Sequence, residues 1–555
     1  MKNKPLTPWK RFLGLLKLER KDVFHIAYYA VFEGVVALSL PLGIQYIINL
    51  LQNAQISTSW IVLVILVSIG VAFSGVLKFM QMRIIEAMQQ RIFTRASFEL
   101  TYRFPKIKMD ELKDYYLPEL ANRFFDTLTI QKSLSKILID VPSAFLQIVF
   151  ALVLLSFYHP FFIVFGILLL LLVFTLFRFT AQEGLNTSLK ESKYKYKVAH
   201  WLQEIARSVI SFKASGKTTL ALEKNDELVG EYLKSRESHF KVLTTQFGLM
   251  IGFKVLVTAG LLVVGGVLVF NQQMNIGQFV ASEIIILLVI ASVEKLISGL
   301  QWFYDVLTAI EKLGLVVDNS LESQEGETLP KDLPLKLELN NVGYSVDSQS
   351  PPILSNISFS ILPKDRVLIT GESGAGKSSL LQILAGILEP TLGRINVNNL
   401  DLKSFLINDY RSNLGLSLSE ESPFEGTIRE NVTFGNSEVT DGQIYKVFDQ
   451  INLTGFLREQ TKGLNTFLKP EGKQIPFTIA KKLVLARSII KQPKLLILED
   501  PLDQFNNEET QKIISFLASP EQPWSLVVVS NNPIWKQKCN KHISLVNGKI
   551  DKITQ

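Results

Sequence analysis

The run Gly371-Glu372-Ser373-Gly374-Ala375-Gly376-Lys377-Ser378-Ser379 satisfies the spacing G-x-x-x-x-G-K-[ST]. Glycines at this spacing let backbone N–H groups converge on phosphate oxygens, and a following helix adds positive potential at its N-terminus. In that chemistry Lys377 reaches the β- and γ-phosphates and Ser378 ligates Mg²⁺. The β-rich run "RVLIT" precedes the loop and the apolar-periodic "SLLQILAG" follows it. A chance glycine-rich turn would lack that strand–loop–helix context. The expected ligands are ATP and Mg²⁺.

A second stretch, "KLLILEDPLDQFN" (494–506), carries an apolar run into two adjacent acids, Glu499 and Asp500. Carboxylates at the end of a buried strand are placed to hold Mg²⁺ and to polarise an attacking water. Glu499 suits the metal role, since carboxylate oxygens are good Mg²⁺ ligands.

These stretches need a scaffold. From about residue 335 to 555, short β-rich runs ("LKLELNNVGY", "RVLITG", "LLILED", "SLVVVS") alternate with helical stretches, which predicts a parallel sheet with crossover helices. The acidic, Pro-bearing segment 316–334 reads as a linker. Before it, six apolar runs at about 24–51, 59–82, 138–157, 160–179, 246–270 and 276–300 each approach or exceed the roughly 20 residues that span a bilayer. They form a membrane domain over 24–315.

The connections "QNAQISTSW", "YHP" and "NQQMNIGQ" contain no Lys or Arg, whereas the N-terminus and the long connections 83–137 and 180–245 are rich in both. Positive charge marks the cytoplasmic side. An integral protein of the cytoplasmic (inner) membrane with both termini in the cytoplasm is therefore expected. The long connections are polar and helix-friendly, so helices should continue into the cytoplasm. They would turn near "KIKMDELKDYYLPEL" and "SVISFKASGKTT", where their tips could touch a soluble domain. Residues 1–23 are basic and amphipathic and read as an interfacial helix on the inner leaflet, not a cleavable signal peptide.

The formal charge is +7, but the basic residues flank apolar runs and form no single patch, which argues against a nucleic-acid partner. One cysteine, Cys539, excludes an internal disulfide framework. That cysteine and five scattered histidines leave no His/Cys metal cluster to expect.

Six spans, long cytoplasmic connections and a C-terminal P-loop domain together resemble an ABC exporter half-transporter across nearly the whole chain. "SPFEGTIRENVTFG" resembles the family's stretch after the Q-loop. "GLNTFLKPEGKQIPFTIAKKLVLARSIIKQPKLLILED" aligns without a gap to its signature-to-Walker-B region, and "SLVNGKI" fits near the end. The membrane half is most similar to secretion-type exporters of the haemolysin kind, without their N-terminal peptidase-like domain. The resemblance implies a six-span α-helical membrane domain fused to an α/β P-loop NTPase domain. It implies a dimer with a second half-transporter, identical or different, sandwiching two ATP molecules between the Walker motifs of one subunit and the signature of the other. A periplasmic adaptor of a secretion system is a further partner of that kind.

Several positions depart from the family pattern. Walker B ends Asp-Glu in the family and Glu499-Asp500 here. Asp500 is one methylene shorter than Glu, and a general base displaced by about 1 Å can lose a hundredfold in rate. The signature LSGGQ becomes Ile475-Pro476-Phe477-Thr478-Ile479. Pro476 offers neither hydroxyl nor N–H, and Phe477 puts bulk where Gly allows close approach; Thr478 is a candidate N-cap in compensation. The switch histidine aligns with Asn531, the Q-loop glutamine with Ser419 and the D-loop acid with Asn506. The adenine-stacking aromatic aligns with Val346. Tyr344, two residues earlier on the same face of a strand, is its candidate replacement.

Retained ATP binding with weak or lost hydrolysis is the leading expectation. An active exporter ATPase and a non-transporting membrane scaffold that uses ATP as a structural ligand stay open beside it. Glu33 and Glu283 fall inside expected spans, where an ionisable residue either lines a substrate path or is a protonated or interhelically paired acid with a packing role. Glu294 and Lys295 read as interfacial.

Overall fold

The computed structural model describes residues 7–52, 58–113, 115–330, 333–347, 350–502 and 505–555. Residues 1–6 of the expected interfacial helix and most of the first inter-span connection lie outside them. The chain forms two compact units, Met1–Pro105 with Asp114–Asn319, and Lys106–Lys113 with Ser320–Gln555.

The first unit is helical: α1 (Pro8–Leu18), α2 (Arg20–Ala37), α3 (Ser39–Gln52), α4 (Thr58–Arg103), α5 (Asp126–Ser156), α6 (Phe161–Arg207), α7 (Leu220–Phe270) and α8 (Ile276–Val317). Among the described residues, six helical stretches are long and apolar enough to cross a membrane, the first of them composed of α2 and α3. The break at Leu38 divides the run expected at 24–51, because Pro41 has no N–H to offer the carbonyl of Ala37. Helices α4, α6, α7 and α8 run 46, 47, 51 and 42 residues. At 1.5 Å per residue each is about twice as long as the hydrocarbon core is thick. Side chains such as Val62, Ile65, Leu66 and Ile69 of α4 are exposed, as a lipid-facing surface requires.

Helix α1 lies against α8. Phe12 is buried, the ring of Trp9 meets that of Phe303, and Arg11 donates to Asp318. In the bundle, Glu33 is paired across helices: its carboxylate lies 3.2 Å from Lys78 Nζ and accepts from Ser143 Oγ at 3.2 Å. Glu283 is half-buried in α8, and Glu294 pairs with Lys254 at 3.7 Å.

The second unit is α/β. Its strands are β1 (Leu337–Tyr344), β2 (Leu354–Ile361), β3 (Arg366–Gly371), β4 (Leu392–Val397), β5 (Leu400–Asp401), β6 (Leu414–Ser417), β7 (Gly426–Thr427), β8 (Phe467–Leu468), β9 (Leu495–Glu499), β10 (Ser525–Val529), β11 (Lys541–Val546) and β12 (Lys549–Thr554). An antiparallel sheet runs β2-β1-β4-β5, and a six-stranded sheet runs β12-β11-β3-β10-β9-β6. In the second sheet β11, β3, β10, β9 and β6 are parallel. Every residue of β9 ("LLILE") and β10 ("SLVVV") is buried, because helices cover both faces of a parallel sheet. Glu499 sits opposite Val529, and Val529 opposite Ile369. The ends of β3, β9, β10 and β6 therefore share one edge, where parallel sheets place their ligands.

The segment 106–113, between α4 and α5, packs into this unit. Ile107 forms a β-bridge with Leu321, and Lys108 Nζ lies 2.7 Å from Glu389. The segment Ser320–Leu329 is stitched down further on. Glu322 pairs with Arg411 through two hydrogen bonds of 2.7 Å, and Glu327 bridges to Phe405.

Candidate nucleotide site

The loop after β3 is shaped by its glycines. Gly374 and Gly376 have φ of +83° and +88°, left-handed values that side chains resist. A Cβ on Gly376 would stand 2.7 Å from Leu354 Cδ2 and 2.9 Å from the carbonyl oxygen of Ile353. Ala375 is buried, whereas Glu372, Ser373 and Gly374 are exposed. Helix α9 (Lys377–Leu384) opens directly on the loop. Its first-turn N–H groups have no partner within the helix and point out of its end. Lys377 Nζ donates to the carbonyls of Gly371 and Glu372, both at 2.8 Å, which holds the ammonium at the loop.

Glu499, at the end of β9, is 7% exposed. It accepts a hydrogen bond from Ser378 Oγ on one carboxylate oxygen. On the other it accepts from the backbone N–H and Oγ of Ser419 at 3.2 and 3.1 Å. Three sequence-distant positions, the start of α9, the end of β9 and the loop after β6, thus meet at one carboxylate. Asp500 follows with φ of +40°, and its N–H donates to the carbonyl of Val529 at 2.9 Å. Asn531 is exposed two residues beyond β10.

Helix α10 (Phe477–Ile489) carries the signature-aligned residues at its start. Pro476 is the N-cap with φ −56° and ψ 145°, and no side chain caps the helix. Thr478 is not the N-cap: it lies in the first turn with helical backbone, and the extended conformation a cap requires falls at Pro476. Ile475 and Ile479 pack against the core, while Phe477 is 55% exposed.

Tyr344 is corrected as well. It is 3% exposed, its hydroxyl bonds Asp110 at 3.3 Å and Lys113 Nζ stands 5.0 Å from its ring centre. At the end of β1 the ring points into the core, so a base cannot stack on it. Val346 is 47% exposed and offers no aromatic face. Asn506 accepts from the N–H of Glu509 at 2.8 Å and caps the helix Asn507–Leu517.

Sequence reading missed the residues that tie α10 to this edge. Lys481 Nζ donates to the carbonyl of Ser419. Burial lowers the pKa of Lys481, against the opposing pull of Glu421 and Glu499. Burial raises that of Glu421, against the Leu418 N–H, Arg487 and Lys481. No motif announces these residues; Lys481 lies four positions after Phe477, one turn along the helix.

A phosphate-cradling loop at the carboxyl edge of a parallel sheet, in a chain that also carries a bundle of membrane-length helices, defines a membrane protein that binds nucleotide. Comparison with known proteins gives the family. The ABC transporter transmembrane region matches residues 23–293, and the ABC transporter domain matches residues 354–503. The chain belongs to the ABC transporter family, with a six-span transmembrane region fused to an ATP-binding domain.

Among its relatives, the colicin V secretion/processing ATP-binding protein CvaB of Escherichia coli is 28% identical over 44% of this chain and 35% of its own length. The alpha-hemolysin translocation ATP-binding protein HlyB of Escherichia coli O157:H7 is 25% identical over 58% of this chain and 46% of its own. An ATP-dependent lipid A-core flippase of Thiobacillus denitrificans is 23% identical over 50% and 48%. The matched part thus spans about half of these relatives' length or less. The solved structure of a bacterial Atm1-family ABC exporter with ATP bound superposes with a TM-score of 0.85 over 97% of this chain and 95% of that one, at 16% identity. That likeness establishes an exporter-type fold.

Proposed function

We propose that the chain is one half of a dimeric ABC exporter that binds Mg-ATP and hydrolyses it slowly or not at all. The observation that carries this reading is a contrast. The phosphate loop has its glycines, Lys377 and Ser378 in place, whereas α10 is preceded by Pro476 at its N-cap and opens with Phe477 standing exposed. A proline and a phenyl ring cannot offer a partner's γ-phosphate the hydroxyl and close N–H groups of a Ser-Gly-Gly start.

In this reading residues 371–379 wrap the phosphates and Lys377 neutralises their charge. Ser378 and Glu499 would hold Mg²⁺ through a hydroxyl and a carboxylate, the hard oxygen donors this ion prefers. When bound, the ion supplies further charge neutralisation between the phosphates. Asp500 and Asn531 occupy the water-activating and switch positions with shorter or less charged groups. Ser419 spends its hydroxyl on Glu499. A homodimer would hold two such sites. With a fully equipped partner, one site would receive this chain's faulty signature, and the other, built on this chain's own phosphate loop, would lack its water activator.

The asymmetry of Lys and Arg supports a cytoplasmic membrane with both termini in the cytoplasm. Relatives named for secretion and translocation support a periplasmic adaptor as a further partner. ATPase turnover of the purified protein in lipid tests the reading. No turnover, with Mg-ATP binding abolished by Lys377→Ala, is expected; turnover of about 1–10 s⁻¹, ordinary for enzymes, would overturn it.

A further inference from the structure

In the helical unit, a cavity of about 380 Å³ lies among the segment Glu119–Arg123, residues 193–204 of α6, residues 224–228 of α7 and Lys312 of α8. That is within the size range of small-molecule sites. Five basic side chains line it: Arg123, Lys193, Lys197, Lys224 and Lys312. Its two carboxylates are already engaged, Glu119 with Arg123 at 2.5 Å and Glu204 with Arg207.

Among the described residues, none of the four lysines has a carboxylate partner. Lys224 and Lys312 lie instead over the rings of Trp201 and Tyr196. Arg123 is 7% exposed, and its guanidinium sits 3.6 Å from the centre of the Tyr196 ring. Among the described residues, its buried Nε and Nη1 have no acceptor. Beyond its pair with Glu119, the buried guanidinium keeps two donors without an acceptor, and it shares the cavity with four lysines that have no carboxylate partner among the described residues, so positive charge is left over there for an anion with several oxygens.

We propose that this cavity is a second anion site, distinct from the phosphate loop, that takes a soluble phosphate-bearing ligand. The fork of Arg123 suits bidentate contact with a tetrahedral oxyanion, and the lysines suit a polyanion as point charges. A lipid headgroup is disfavoured by position. The apolar run of α6 ends near residue 179, and residues 193–204 lie about 20–40 Å further along the helix.

The test uses the full chain carrying Lys377→Ala, so that the phosphate loop contributes little, in phosphatidylcholine nanodiscs at constant ionic strength. Pyrophosphate is titrated and followed by calorimetry and tryptophan emission. Saturable binding of one pyrophosphate per chain is expected, weakened tenfold or more by Arg123→Gln. Because Arg123 is buried and its variant can misfold, the pair Lys193→Gln with Lys197→Gln, both exposed, provides the second arm and should weaken binding severalfold. Trp201→Phe should remove the emission change and keep the heat. No saturable binding, binding unmoved by the lysine pair, or binding seen only with vesicles containing anionic lipid would each overturn the proposal.

Discussion

Ser378, in the first turn of α9, donates a hydrogen bond to the carboxylate of Glu499 at the end of β9. The two are 121 residues apart, and the strands that lead to them, β3 and β9, are separated by β10 in the sheet. The contact joins the phosphate loop to the acid best placed for Mg²⁺. Ser378→Ala should therefore weaken Mg-ATP binding by roughly tenfold or more, as expected for loss of a charge-assisted contact. ATP binding in EDTA should change little. Calorimetric titrations with and without Mg²⁺ check this.

Gly376→Ala should abolish nucleotide binding without unfolding the chain. The added methyl group meets Leu354 and the Ile353 carbonyl, and the left-handed backbone costs a further ~1–2 kcal/mol. Loss of fluorescent-ATP binding together with an unchanged circular-dichroism spectrum is the expected pair of results.

Hydrolysis should appear only when several positions are restored together. Asp500→Glu alone should give little, because the signature and switch stay altered. Its φ of +40° is also a conformation that Asp tolerates better than Glu. Asp500→Glu with Asn531→His, Pro476→Ser, Phe477→Gly and Thr478→Gly should release phosphate at least tenfold faster than the parent, measured in lipid. A combined variant as inactive as its parent would show that these positions are not the cause.

Glu322 tethers the segment after α8 to Arg411, whose Nη2 also donates to the carbonyl of Gly386 behind α9. Glu322→Ala should cost the nucleotide-binding unit about 1.5–3 kcal/mol, the range for hydrogen bonds to charged groups. The N–H groups of Glu327 and Leu329, bonded to Ser404 O and Asp409, should exchange faster with deuterium.

Cys539 is a buried thiol whose pKa is pushed up to about 12 by burial. Its thiolate fraction at pH 8 is ~10⁻⁴, so the native chain should react with maleimide far more slowly than the denatured one. The native thiol keeps its proton where the unfolded one, near 8.5, has lost it. This residue's contribution to stability is therefore complete below about pH 8.5 and is lost as pH rises toward 12. Labelling rate against pH reads both effects.

Glu33 and Tyr344 show where sequence reasoning stops. An acid inside a span has two readings, path or pair, and only the approach of α4 and α5 supplies Lys78 and Ser143 as partners. Tyr344 has the right spacing from Val346 to share a face of a strand. Which face is buried depends on what covers it, and the segment 106–113 covers it with Asp110 and Lys113. Thr478 has a capping side chain, yet the helix starts two residues too early for it to cap.

By itself the sequence determined what is local and contiguous. The glycine spacing of 371–379, the apolar runs of bilayer length and the uninterrupted apolar β9 and β10 each act through neighbours in the chain, so their chemistry can be read in order. The tertiary structure decided which distant groups meet. That Glu499 gathers Ser378 and Ser419, that Lys481 ties α10 to the loop after β6, and that Arg123 shares a cavity with four lysines that have no carboxylate partner among the described residues all follow from strand order and helix packing. Those are set by burial of apolar surface over the whole chain, a non-directional force that leaves no local mark on the polar residues it brings together.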